Sequence, residues 1–119
     1  MNRFYTIVGG LFGFLGVGFG AFGAHGLKGL LSPEMVEIFK TGVFYQLIHA
    51  LAILSLAING GKFDKACLLF TAGVLLFSFS LYSYSITGIK YFAIITPLGG
   101  GCFLAGWVIV VVGAMKAKE

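Results

Sequence analysis

The stretch FYTIVGGLFGFLGVGFGAFGA, residues 4–24, decides the fold. Its 21 residues carry no charge. As a helix rising about 1.5 Å per residue it is about 31 Å long, the thickness of a hydrocarbon core. Within it Gly9, Gly13, Gly16, Gly20 and Gly23 recur at spacings of 4, 3, 4 and 3. That is the seam period of two packed helices, written in the smallest residue. In water each interior glycine would weaken a helix by about 1 kcal/mol relative to alanine. In lipid, small residues let two backbones approach closely. The segment therefore reads as a membrane helix whose glycine face is buried against protein rather than lipid.

The remaining residues agree with that environment. Of 119 residues 59% are hydrophobic and only 10% charged, with a mean hydropathy of +1.02. A soluble domain carries about 25% charge, so this chain cannot cover itself with polar groups and lipid must do so. The net charge of +4 and pI near 9.2 come from Lys and Arg residues scattered at segment ends. No basic stripe with interleaved aromatics is present, which excludes a nucleic-acid partner. Arg3 and the Ala21-Phe22-Gly23 string resemble parts of a signal peptide. The apolar run is longer than the usual h-region of about 7–15 residues, so the segment is expected to remain as a span.

One domain over residues 1–119 is expected, with spans at about 4–24, 43–58, 66–86 and 91–115. Ser32-Pro33-Glu34 is a helix start: a favoured cap, a proline at the first position, and an acid at the positive end of the dipole. After it Glu34, Glu37 and Lys40 face one way, and Met35, Val36 and Phe39 largely another. That gives a short amphipathic segment before the second span, in one helix to about Ile58, stopped by Asn59-Gly60-Gly61. Lys62, Asp64 and Lys65 form the second loop. The third span ends in hydroxyls, Ser78, Ser80, Tyr82, Ser83, Tyr84, Ser85 and Thr87, of which the serines and the threonine can bond the carbonyl four residues back. Gly88 and Lys90 mark the third turn. In the fourth span Pro97 either kinks the helix or starts its main body. Gly99, Cys102, Gly106 and Gly113 then form a second small-residue stripe. The expected fold is an all-α integral membrane protein, a four-transmembrane-helix bundle without an internal repeat, so an inverted-repeat transporter is not supported.

Orientation follows from the basic residues. Arg3, Lys62, Lys65, Lys116 and Lys118 fall on one side, and Lys28, Lys40 and Lys90 on the other. The positive-inside rule places both termini in the cytoplasm. Cys67 and Cys102 lie in no CxxC motif. They are expected near the starts of the third and fourth spans, on opposite membrane faces. A disulfide needs Cα atoms within about 7 Å, so both are expected to be free thiols.

Several strings together resemble a known family. They are Gly20-Ala21-Phe22-Gly23-Ala24-His25-Gly26-Leu27, Tyr45-Gln46-Leu47-Ile48-His49-Ala50-Leu51-Ala52, Phe77-Ser78 with Ser80-Leu81-Tyr82, and Thr96-Pro97-Leu98-Gly99-Gly100 with Gly106-Trp107. Over nearly the whole chain this is similar to the YgdD/YwdK family of small bacterial inner-membrane proteins. The family pattern often has a glycine between the two serines where Phe79 stands here, a bulk that alters one helix contact. The resemblance implies four spans in the bacterial inner (plasma) membrane. It brings no catalytic residues, no cofactor and no established activity.

The chemistry-bearing residues are few. His49 is an ionisable group inside a span, which makes it a functional candidate by default. Tyr45 and Gln46 share its face. With Ser78 and Tyr82 they form a candidate polar cluster. One reading is a proton- or solute-handling site. The other is a neutral imidazole tying the second span to the third, with Ser78 as its nearest partner. His25, at the outer end of the first span, is expected to cap that helix or bond Gln46, and a role on the outer face stays open. It lies about 10 Å from the depth of His49 by helical rise. No carboxylate or cysteine clusters beside either, so no metal site is expected. No serine has a His–carboxylate arrangement, and the glycine strings lack the setting of a phosphate loop. Trp107 is expected as an interface anchor or packing residue. The chain is therefore expected to be non-enzymatic and without cofactor, its partners being the lipid bilayer and either a second copy or other membrane-protein subunits. The alternative is a small transporter or channel built on Tyr45, Gln46, His49 and the hydroxyls of the third span.

Overall fold

The computed structural model describes residues 1–117, so Lys118 lies outside them. Four helices are long and apolar enough to cross a membrane: α1 (Arg3–Leu27), α2 (Pro33–Ile58), α3 (Asp64–Thr87) and α4 (Lys90–Lys116). α1 runs three residues past the expected end at Ala24, because a polar His25 does not stop a helix whose carbonyls find partners in the loop. The Leu27 carbonyl accepts from the Leu30 and Leu31 amides.

The starts of α1 and α2 and the end of α3 have local causes. The Asn2 side chain caps α1 by accepting from the Tyr5 amide, and Ser32 caps α2 by accepting from the Met35 amide. Gly88 ends α3 in the left-handed region, φ 71°, which a residue with a Cβ rarely adopts. α2 is one unbroken helix of 26 residues, so its amphipathic start and its span are continuous. α4 is also unbroken, and Pro97 lies inside it, so the alternative of a helix starting at Pro97 is set aside. Thr96 bonds the Phe92 carbonyl at 3.4 Å and Ser80 at 2.6 Å, holding the turn where the proline removes a donor. Cys102 consequently sits at mid-span and not near the start of α4. Both cysteines are free.

α2 and α3 form the centre. α1 packs on α2, and α4 packs on α3; no Cα atoms of α1 and α4 lie within 8 Å of each other among the described residues. The central helices are 39% and 44% buried over their apolar windows, the outer pair 22% and 17%. Ile53, Ala57, Ala66, Phe70 and Val74 are fully enclosed between them.

The glycines set the helix spacing. A Cβ at Gly9 would stand 2.7 Å from Leu54, at Gly16 2.6 Å from Leu47, at Gly20 3.1 Å from Val43 and at Gly23 3.0 Å from Phe39. Four members of the stripe thus face α2. Gly13 does not, since a Cβ there meets nothing within 4 Å. Gly99 and Gly106 face α3, against Phe77 and Phe70. Two glycines outside both stripes do the same work: Gly42 against Tyr82, and Gly73 against Phe103. Gly16→Leu is expected to push α1 from α2 and cost about 1–3 kcal/mol as an overpacked contact. Gly13→Leu should leave the melting temperature in detergent near wild type, and equal losses in the two would refute the assignment.

Two π turns, Phe19–Gly23 in α1 and Val74–Ser78 in α3, had no sequence signal. In each an amide bonds five residues back, Ala24 to Phe19 and Phe79 to Val74.

Candidate functional site

Gln46 lies in the centre of α2 and is fully buried. A primary amide has two acceptor sites and two donors, and hydrocarbon satisfies none of them. Here Gln46 Nε2 donates to the Phe12 carbonyl of α1 at 2.8 Å, and Gln46 Oε1 accepts from the Tyr82 hydroxyl of α3 at 2.6 Å. Gly16 makes the first bond possible: its Cβ position is 3.5 Å from Nε2. Gly42 does the same for Tyr82, whose ring occupies the space of a Cβ. One side chain thereby joins three helices. Phe79, standing where the family often has glycine, packs edge-on to Phe12 at 6.4 Å and beside Tyr82 at 5.6 Å, thickening this same contact.

His49 stands one turn further along α2 and faces α4. Its Nδ1 is 2.8 Å from the Tyr45 carbonyl, and its Nε2 accepts from Trp107 Nε1–H at 3.1 Å. Indole nitrogen can only donate, so Nε2 must be unprotonated and Nδ1 carries the hydrogen to the carbonyl. The ring is stacked on Phe103, centroids 3.7 Å apart and planes 8° apart. α2 and α4 have no Cα atoms within 8 Å, so this aromatic layer is their bridge.

That arrangement corrects the expectations for His49 and His25 and extends the one for Trp107. His49 bonds Trp107 and not Ser78, because it lies on the α4 side of α2 while Ser78 packs near Gly42 on another face. Ser78 Oγ is buried with no partner among the described residues. Of the two expectations for Trp107, packing holds, against Phe70 and His49, and its indole also donates a hydrogen bond to His49, which its sequence position beside Gly106 did not disclose. His25 neither caps α1 nor reaches Gln46: it is exposed, loop amides take the terminal carbonyls, and Gln46 is engaged elsewhere. The candidate cluster is therefore two separate ties, Gln46–Tyr82 and His49–Trp107, with Tyr45 at the lipid-facing edge of the second. Trp107→Phe keeps the stacking and removes one bond inside lipid. Its expected cost is about 0.6–1.7 kcal/mol by thermal denaturation, and no loss at all would mean the bond contributes nothing.

A third tie closes the end of the bundle near the N-terminus. Asn2 Nδ2 donates to Asp64 Oδ1 at 2.7 Å, and the Asn2 amide donates to the Ala57 carbonyl at 2.8 Å. Asn2 thus fastens the start of α1 to the end of α2 and the start of α3, a role that sequence reading missed. Among the described residues no group of three or more His, Cys, Asp or Glu could hold a metal ion.

The profile of the family described as "Protein of unknown function (DUF423)" matches residues 19–100, a stretch holding the glycine-rich end of α1, the Gln46–Tyr82 pair, His49 without its partner Trp107, and the start of α4 as far as Gly100. The chain is 41% identical to the UPF0382 membrane protein YwdK of Bacillus subtilis, covering 96% of this chain and 98% of that one. It is 38% identical to the UPF0382 inner membrane protein YgdD of Escherichia coli, covering 99% and 94%, and 36% identical to the Staphylococcus aureus membrane protein SAB0533, covering 96% and 97%. No solved structure matches. With four membrane-spanning helices and relatives of this likeness along its whole length, the chain is an integral membrane protein belonging to the DUF423 family, the YgdD/YwdK proteins.

Proposed function

We propose that this protein is a non-enzymatic membrane subunit that acts through helix–helix contacts, as a homo-oligomer or as an accessory part of a larger membrane complex. The observation that carries the reading is the use of its buried polar groups. Gln46, Tyr82, His49 and Trp107 bond one another or the backbone within the bundle. Both nitrogens of His49 are engaged, which leaves neither to accept a substrate proton. α1 and α4, the outer helices, offer Phe14, Val17, Leu104 and Val108 to whatever surrounds the bundle. The excess of Lys and Arg on the side of the termini supports a cytoplasmic location for both.

A second reading, a small transporter or channel, is favoured by one feature. A cleft of about 520 Å³ opens beside the His49–Trp107 pair, lined also by Tyr45, Phe77, Pro97 and Phe103. Crosslinking in intact membranes followed by native mass spectrometry separates the two. A dimer, higher oligomer or co-purifying subunit is expected. A solitary monomer would overturn the subunit reading, and proton or solute flux from that monomer in liposomes would establish the second. A phosphatase fused to the C-terminus should be inactive if the orientation is right.

A further inference from the structure

Helix packing leaves part of the most distinctive string unused. Gly20 and Gly23 admit Val43 and Phe39. His25, however, points outward, and Lys28 makes no ion pair among the described residues. Gly20, His25 and Lys28 border a cleft of about 460 Å³ between the end of α1 and the start of α2.

The cleft has two kinds of wall. Gly20, Ala24 and Val36 give it an apolar side, with two residues too small to fill the space. Lys28 and Lys40 give it a cationic side, with the His25 ring beside them and Glu37 as the one acid. Lys40 is unusual in its depth. The Gly23–Phe39 contact places it level with a point about four residues inside α1, roughly 6 Å below the helix end. An ammonium at that depth is costly unless it reaches upward or meets an anion. It reaches Glu37, 3.5 Å away and itself exposed. Lys28 and Lys40 against Glu37 leave one lysine charge without a partner among the described residues. Pro33 also borders the cleft and brings the positive end of the α2 dipole to its mouth. The π turn at Phe19–Gly23 forms the adjoining part of α1, a distortion often found at functional sites.

A ligand suited to this shape must be negative at one end and apolar at the other. We propose that the cleft holds an anionic phospholipid, its phosphate between Lys28 and Lys40 and an acyl chain along Gly20, Ala24 and Val36. Basic pockets between membrane helices recognise headgroups by this chemistry. The site lies on the membrane face away from the termini and stands independently of the subunit reading.

The test uses the full chain in detergent, supplied with phosphatidylglycerol or phosphatidylcholine and read by native mass spectrometry and thermal shift. Wild type should retain phosphatidylglycerol several-fold over phosphatidylcholine and be stabilised more by it. Lys28→Gln with Lys40→Gln should abolish the preference. Lys62→Gln with Lys65→Gln removes the same charge on the other membrane face and should keep it. Lys28→Glu, on an exposed loop, gives the same answer if the double variant fails to fold. Equal retention of both lipids by wild type would overturn the proposal, as would equal loss in the two double variants. A thermal shift from inorganic phosphate matching that of phosphatidylglycerol would also overturn it, since the site would then take free phosphate.

Discussion

Gly99→Leu is expected to be the most damaging single substitution in the bundle. A Cβ at residue 99 falls on the backbone amide nitrogen of Phe77 and the carbonyl carbon of Leu76. Those atoms belong to the π turn of α3 and cannot rotate aside as a side chain would. α4 must therefore move off α3, and the aromatic contacts of Phe103 and Trp107 go with it. Overpacking a core costs about 1–3 kcal/mol when side chains can adjust. A backbone collision belongs at or above the upper end, read as a large fall in melting temperature or as loss of folded protein in detergent. Gly101→Leu is the control, since nothing lies within 4 Å of its Cβ position. Even Gly99→Ala should be destabilising. If Gly99→Ala and Gly101→Ala melt together at the wild-type temperature, the close approach of α3 and α4 is wrong.

Gln46→Leu should come second. It fits the volume but removes the bonds to the Phe12 carbonyl and the Tyr82 hydroxyl together. The Tyr82 hydroxyl would be left buried with no partner, at a cost of about 1–3 kcal/mol. Tyr82→Phe in the Gln46→Leu background should then recover part of the loss, because both partners are gone. Full additivity in that double-mutant cycle would show that the two side chains are not coupled.

How much of this was legible without coordinates depends on the range of the interaction. The span count, the Ser32 cap and the stop after Ile58 are local. They follow from run length, cap chemistry and the freedom of glycine at turns, and all lie where the chain predicts them. Which glycines matter is only half local. A 4-3 spacing marks a face, yet Gly13 stands on that face and contacts nothing, while Gly42 and Gly73 lie in no stripe and are tightly packed. The candidate site was legible in its members and not in its pairing. Tyr45, Gln46 and His49 stood out as polar residues within an apolar run, but Trp107 resembled an ordinary aromatic, and Asn2 a terminal residue.

The physical reason is the difference between periodicity and register. Hydrophobic runs and caps fix where helices begin, how long they are and that they cross a membrane, because each residue there responds to lipid or to its own backbone. Register between helices is fixed by contacts among residues far apart in the chain. Gln46 could reach Ser78, His25 or Tyr82 by composition; it reaches Tyr82 and the Phe12 carbonyl because Gly16 and Gly42 bring α1 and α3 close at that level. His49 turns to Trp107 because α4 presents an indole where α3 presents Phe70. The amino-acid pattern alone made this a four-helix membrane protein, and the packing of those helices chose which polar side chains meet.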